Sequence, residues 1–367
     1  MRLESVTTSA LCIPFRSAFR HASAERAVTQ ALWGEARSND GTVGYGEGCP
    51  REYVTGENID SALRFVSLHA PDLRRSVCDV ASLHEWVVRH AADIDGNPAA
   101  WTAVEIAILD LLGKLEGETV ENLLGEPVLS GVFRYTAVIG DATPEEFSAQ
   151  LGKYLKAGFH DFKIKLSGEA GRDLAKVRAL VAAGIPPQSV RADANNLWPD
   201  GGAAIAALGA LDYPFFALEE PLHAGDYAGM RLIADALGVK IILDESLLRI
   251  GQLDDLGSLQ ASCIANLRVS KMGGVMRSME MVNELRRRGM PVIIGAHVGE
   301  SSVLTRAALT VANGARDLLA AQEGAFGTYL LAHDVVDPPL MFGAGGVLDV
   351  AAAALDGPGW GLAITVR

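Results

Sequence analysis

The chain lacks the features that mark several large classes of protein. Its four cysteines, Cys12, Cys49, Cys78 and Cys263, are scattered, with no C-x-x-C and no ligand-like spacing. That argues against a disulfide framework or a cysteine-built metal centre and fits free thiols in a reducing compartment. Positive charge is also scarce. Lys and Arg total 32 against 45 Asp and Glu, for a net charge of −13, and the nearest thing to a basic run, Arg286-Arg287-Arg288, reads as the solvated end of a helix. A nucleic-acid or anionic-membrane surface needs clustered basic residues, so neither partner is expected. No apolar stretch of membrane-spanning length escapes a charge or a turn signal, and the first residues lack a basic segment followed by an apolar one. The expectation is a cytoplasmic protein without a signal peptide.

What is present is a long, apolar, globular chain. Its 367 residues, 49% of them hydrophobic, exceed one ordinary core, so more than one domain is expected. Residues 1–128 read as an α+β unit. Leu3–Thr8, Ala27–Trp33 and Val43–Gly46 have strand character, with Asn39-Asp40-Gly41 as a turn signal, and suggest a three-stranded meander. Ser61–Phe65, Ser82–Ile94 and Ala99–Leu115 read as helices, the last with Gly117 as its cap.

From residue 129 the texture changes. Short apolar strands alternate with helical segments: Phe133–Val138, Phe162–Leu166, Val190–Ala194, Phe215–Glu219, Lys240–Asp244, Cys263–Ser270, Val292–Gly295 and Asp317–Gln322. Eight βα units predict a (β/α)8 TIM-type barrel over 129–335. A doubly wound open sheet is the competing architecture, but it would bring a glycine-rich phosphate loop after its first strand, and none is found. Residues 336–367, rich in Gly and Ala, fit no further unit and are expected to return to the N-terminal domain.

Polar residues recur where these strands end. Lys163 and Lys165 close the second, Asp193 the third, Glu219 the fourth and Asp244 the fifth, and Lys271 follows the sixth. In a barrel, residues one unit apart at strand ends converge on one mouth. Three carboxylates meeting there repel unless a cation neutralises them, and hard oxygen donors point to Mg²⁺ or Mn²⁺. Lys163 and Lys165, two apart, leave the same face of their strand. An ammonium at Lys163 would depress its neighbour and favour Lys165 as a base, while Lys271 would stand across the barrel as a second acid/base. A divalent ion with lysine bases suits removal of a proton α to a carboxylate through an ene-diolate.

These residues resemble the enolase superfamily, and within it the mandelate racemase/muconate lactonizing enzyme family. Lys163-Ile164-Lys165 resembles its K-x-K, Asp193-Ala194-Asn195 its D-x-N, Glu219-Glu220-Pro221 its E-Q-P with Glu for Gln, and Asp244-Glu245-Ser246 its D-E-S. Lys271-Met272-Gly273-Gly274 resembles the sixth-strand K-x-G-G, and Gly44–Gly48 with Ala103–Lys114 resembles the capping domain. The resemblance implies an enolase-like modified barrel with an α+β cap. It implies Asp193, Glu219 and Asp244 as metal ligands, Lys165 and Lys271 as acid/bases with Lys163 assisting, and Asn195 and Glu245 as supporting groups behind them. Loops holding His21, Arg51 and Tyr53 would cover the mouth, and His297 and Glu323, after the seventh and eighth strands, would face a small-molecule carboxylate.

The resemblance implies a racemase, epimerase or cycloisomerase. The alternatives are a lyase of the o-succinylbenzoate synthase kind and a non-catalytic ligand-binding relative. Mandelate-racemase-type members pair a seventh-strand His with a sixth-strand Asp; the position taken here for that Asp is Lys271, so His297 is not read as the base. Dipeptide epimerases of the subgroup carry D-x-D after the eighth strand, where this chain has Ala321-Gln322-Glu323-Gly324, so an α-ammonium pocket does not follow. A homo-oligomer is the general expectation.

Overall fold

The computed structural model describes residues 3–21 and 24–365, without the side chains of 17–25. The chain opens with strands β1 (Leu3–Leu11), β2 (Pro14–His21), β3 (Ala24–Val28), β4 (Ala31–Ser38) and β5 (Val43–Gly48). Three of them form the antiparallel sheet β1-β4-β5, while β2 and β3 form a separate hairpin. The expected strand Ala27–Trp33 is therefore two strands. The break falls at Gln30, whose φ of 48° is incompatible with continuing an extended chain.

The sheet packs on the helix Pro98–Glu116, which is buried along nearly its whole length and ends at Gly117 with φ of 72°. The packing is close because β5 presents glycine at alternate positions. A Cβ at Gly44 would lie 2.1 Å from the carbonyl oxygen of Ala107, and one at Gly46 would lie 2.1 Å from that of Ala103. Only hydrogen fits between sheet and helix there.

Two further short pieces precede the barrel. β6 (Val132–Arg134) pairs with β15 (Val347–Asp349) near the C-terminus. The strand expected over Phe133–Val138 is thus split between this pair and the barrel. The barrel strands are β7 (Ala137–Ile139), β8 (Phe162–Lys165), β9 (Val190–Asp193), β10 (Ala217–Glu219), β11 (Lys240–Leu243), β12 (Cys263–Leu267), β13 (Val292–Ile294) and β14 (Leu319–Gln322). They pair in chain order, every pair parallel. The amide of Thr136, next to β7, donates to the carbonyl of Gln322 on β14 at 2.8 Å, so the first and last strands meet. A layer of Ala217, Ile242, Ile264 and Ile293 fills the interior.

The cap is bonded to the barrel at the ends of two barrel helices. Glu47 on β5 accepts from the amides of Ser301 (2.9 Å) and Leu304 (3.2 Å) at the start of helix Ser302–Gly314. Glu105 accepts from the amide of Val275, which opens helix Val275–Arg288. Each carboxylate meets amides that have no partner within their helix. The C-terminal segment reaches the same cap helix: the Trp360 indole donates to the carbonyl of Ile106 at 2.9 Å, and its amide donates to Asp110 at 3.1 Å. Among the described residues no helix is long and apolar enough to cross a membrane.

Candidate active site

The register of the parallel strands brings the strand-end residues together. Lys165 is paired with Asp193, and Asp193 with Glu219. Asp244 lies two residues past Ile242, the partner of Glu219. Lys163, Asp193, Glu219 and Asp244 are all buried. Lys163 Nζ lies 2.7 Å from Glu219, 3.0 Å from Glu323 and 3.2 Å from Asp193. Burial opposes its charge, but Glu219, Glu323 and Asp193 outweigh that and hold the ammonium above the ordinary lysine range.

Lys165 donates to Asp193 and, at 2.8 Å, to Asn195 Oδ1. Asn195 has φ of 47°, a left-handed conformation that Asn tolerates, and its amide bonds back to Asp193 at 3.1 Å. Burial raises Asp193, yet the nearby Lys165 and Lys163 bring it below the usual carboxylate range. Glu219 is pushed upward, first by burial and then by the charges of Asp193, Glu323 and Asp244, despite its contact with Lys163. Glu220 is tied into the scaffold: it accepts from the amides of Asp244 (2.6 Å) and Ser246 (2.8 Å), fixing the turn that presents Asp244.

Across the barrel the expectation needs correction. Lys271 does not line the cavity. Its side chain is fully buried, and its ammonium donates to the Asp244 carbonyl (2.7 Å), the Asn266 carbonyl (2.7 Å) and Asp244 Oδ1 (2.9 Å). All three hydrogens of the ammonium are used in bracing the ends of β11 and β12. The cavity-lining cation from this part of the chain is Arg268, which pairs with Asp244 and lies 3.6 Å from Glu219. Its charge, opposed by burial, is held by Asp244, Glu219 and Glu245. Asn266, also unanticipated, donates to Glu219 at 3.2 Å.

The cluster borders a cavity of about 890 Å³. Tyr53, Glu245, His297 and Glu323 line it together with Lys163, Lys165, Asn195 and Arg268. Both ring nitrogens of His297 are buried without a hydrogen-bond partner among the described residues. Burial, and then Arg268 and Arg51, push its pKa well below the ordinary value, so the imidazole is neutral. Glu300 accepts from the His297 amide at 2.7 Å and is raised to about 8, chiefly by burial. Tyr154, Phe159, Phe326, Tyr329 and Phe342 form one apolar wall, with Tyr329 stacked on Phe342 at 5.6 Å.

Arg51, expected at the substrate, is not among the lining residues. It is buried and donates to the carbonyls of Pro50 (2.8 Å), Val298 (2.9 Å), Gln30 (3.0 Å) and Thr29 (3.3 Å), fastening the cap to the loop after β13. His21 ends β2 in backbone, but its side chain lies outside the described residues.

Residues 146–367 match the family described as enolase C-terminal domain-like. The chain belongs to the enolase superfamily. Within it the relatives are of the mandelate racemase/muconate lactonizing enzyme type. This superfamily member is 24% identical over 315 residues to the N-succinyl-L-Arg/Lys racemase of Bacillus cereus, covering 85% of this chain and 84% of that one. Its fold is similar to a muconate lactonizing enzyme from Pseudomonas fluorescens, complexed with muconolactone. That comparison has a TM-score of 0.87 and 25% identity, over 99% of this chain and 97% of the other. It is also similar to a dipeptide epimerase from Enterococcus faecalis, complexed with Mg and the dipeptide L-Leu-L-Tyr. Here the TM-score is 0.82 and the identity 23%, over 99% and 100% of the two chains.

The donor set of this chain fits a divalent ion. Three buried carboxylates meet at the ends of neighbouring strands, Asp193 paired with Glu219 and Asp244 two residues past the partner of Glu219. All the candidate ligand atoms are hard oxygens, the preference of Mg²⁺ and Mn²⁺.

Proposed function

We propose that this protein removes the proton α to the carboxylate of a small-molecule substrate, with Lys165 as the base. The observation that carries the reading is the in-register meeting of Lys165, Asp193 and Glu219, with Asp244 beside them, directly behind the cavity that Lys163 and Lys165 line. Asp193, Glu219 and Asp244 would hold Mg²⁺ or Mn²⁺. When bound, the ion supplies the positive charge that stabilises the second negative charge of an ene-diolate.

The chain's own residues do the rest. Lys165, in its free-amine form, takes the proton; Asn195 orients its Nζ. Lys163 places a buried positive charge beside the developing anion and keeps Glu219 and Glu323 in position. His297, neutral and with no hydrogen bond to its ring among the described residues, is suited to hydrogen-bond a polar group of the substrate, and Tyr53 and Glu323 complete the polar side of the cavity. The relatives named as racemases and epimerases support an isomerase assignment. The four free cysteines fit a cytoplasmic location, with Cys12 and Cys78 exposed.

The test is solvent exchange. Dipeptides, N-acyl amino acids, proline derivatives and muconates are incubated with the protein and Mg²⁺ in D₂O, and α-deuterium is followed by NMR. The expected result is exchange or turnover for at least one class, lost on chelation, restored by Mg²⁺ or Mn²⁺, and reduced by about 10³-fold in Lys165→Ala. Undiminished exchange in Lys165→Ala would remove Lys165 from the role.

A further inference from the structure

We infer that the cap carries a second cation site, separate from the barrel mouth, in which His69, His90 and Asp93 bind a transition-metal ion of the Zn²⁺ kind. One ligand atom from each of the three lies within 4.8 Å of the other two. None of the three lines the barrel cavity. They come from two parts of the cap. His69 is on the helix Ile59–Ser76, while His90 closes the helix Val80–Arg89 and opens the short helix Ala91–Asp95, which contains Asp93. That shared helix end turns His90 and Asp93 toward each other, with His90 Nδ1 3.0 Å from Asp93 Oδ2. Two ligands on one ion stand about 3 Å apart when each bond is about 2.1 Å.

An aromatic frame holds both imidazoles. The His90 ring stacks on Trp86 with centroids 4.1 Å apart, and His69 meets the same indole edge-on at 5.5 Å and Phe65 at 4.6 Å. Trp86 is fully buried and stacks in turn on Trp101 at 4.5 Å. The two imidazole centroids are thereby set 5.2 Å apart, with their planes at 76°. A tetrahedral ion about 3.2 Å from the centre of each ring would place two imidazoles about 5.2 Å apart.

The far side of His90 supplies a second, independent sign. Its Nε2 faces Asp72 Oδ2 at 3.5 Å, and Asp72 is held by Trp86 Nε1 at 2.8 Å and by Arg75 at 3.2 Å. A histidine that binds a metal through one nitrogen usually turns its other N–H to a fixed carboxylate, as His90 does here. In a neutral His90 without a metal, one bare nitrogen points at a carboxylate whichever tautomer forms, because Asp93 faces one nitrogen and Asp72 the other. Protonating His90 would satisfy both carboxylates but would set a cation against the His69 ring. A metal makes that second ring a ligand. Two nitrogens and a carboxylate favour a borderline ion such as Zn²⁺ over Mg²⁺, whereas the barrel mouth offers carboxylate oxygens, so the two sites select different metals. Asp93 is 53% exposed, which leaves a remaining position to water. A bound ion ties the helix Ile59–Ser76 to the corner that follows Val80–Arg89.

Two measurements decide this. The first is Zn²⁺ calorimetry on the full chain in saturating Mg²⁺. The wild type is expected to bind Zn²⁺ with an affinity that falls at least about tenfold in His69→Gln and in Asp93→Asn. The double variant Cys12→Ser/Cys78→Ser, which removes the exposed thiols, is expected to stay within about twofold of the wild type. No Zn²⁺ binding by the wild type, or binding that both His69→Gln and Asp93→Asn leave within about twofold, would overturn the proposal. Asp93→Asn alters a half-exposed side chain and keeps the comparison usable if His69→Gln does not fold.

The second measurement locates the ion. Imidazole NMR signals of His69 and His90, assigned by comparison with His69→Gln and His90→Gln, are expected to shift on adding one equivalent of Zn²⁺ in saturating Mg²⁺. Shifts confined to other histidines would place the ion elsewhere and end the proposal.

Discussion

Lys163 lies buried among three carboxylates, and its fate under mutation separates two sources of positive charge. Its ammonium contacts Glu219, Glu323 and Asp193 at 2.7, 3.0 and 3.2 Å. Lys163→Met would leave buried negative charge without that partner, a change that costs about 3–5 kcal/mol when one member of a buried pair is removed. The expected outcome is a lower Tm, with a larger rise on adding Mg²⁺ than the wild type shows, because the ion replaces the missing charge. Equal Mg²⁺-induced shifts in both proteins would mean that the ion and Lys163 do not share these carboxylates. At this scale the sequence was informative where strands end cleanly. Lys165, Asp193 and Glu219 are terminal residues of β8, β9 and β10, and alternation along a strand places them. It was uninformative after β12. That strand stops at Leu267 and a helical turn, Val269–Met272, follows, so the two-residue alternation that would say which of Arg268 and Lys271 faces inward no longer applies. Arg268 was nonetheless visible as the first cation beyond the strand.

Among the elements, β5 and the helix Pro98–Glu116 have the tightest contact in the cap, and it depends on absent side chains. Gly46→Ala places a methyl 2.1 Å from the Ala103 carbonyl oxygen and 2.7 Å from the Ala107 nitrogen, both backbone atoms of a helix that cannot yield locally. The expected cost is about 3 kcal/mol or more, read as a lower urea midpoint. Since Glu47 is the next residue and caps helix Ser302–Gly314, the sheet cannot shift without also disturbing the barrel. A midpoint within about 0.5 kcal/mol of the wild type would mean that sheet and helix are not in this close register. The glycine spacing in Gly44-Tyr45-Gly46-Glu47-Gly48 was readable as a motif, but the reason for it was not, because the reason is the backbone of a helix about 60 residues away. The same limit split two expected strands. Nothing local in Ala27–Trp33 or Phe133–Val138 says that one half belongs to a different sheet from the other; tertiary pairing decides it.

For the whole molecule, cap and barrel are joined through two carboxylates that burial makes hard to ionise. Glu47 is raised to about 7 and Glu105 to about 8, in each case chiefly by burial and against the helix amides that they cap. In the unfolded chain both titrate near 4.5. A carboxyl whose pKa is higher folded than unfolded binds more protons in the folded state between those values. Its contribution to stability is therefore fully present below pH 4.5 and is lost as pH rises through 7 for Glu47 and through 8 for Glu105. The loss amounts to at most about 3 kcal/mol for Glu47 and about 5 kcal/mol for Glu105. General charge repulsion in a chain of net −13 also weakens the fold at high pH, but it acts almost equally on a single-site variant and so cancels in a difference. The measurement is the unfolding free energy of the wild type minus that of Glu105→Gln, and likewise Glu47→Gln, by urea titration from pH 5 to pH 9. Both glutamines keep an oxygen that accepts from the helix amides and cannot ionise. Each difference is expected to move against the wild type as pH rises from 5, levelling off near 7 for Glu47 and near 8 for Glu105. A difference that stays flat across the range would show that the carboxylates are already charged when buried. The helix amides would then hold the cap on the barrel by stabilising an anion.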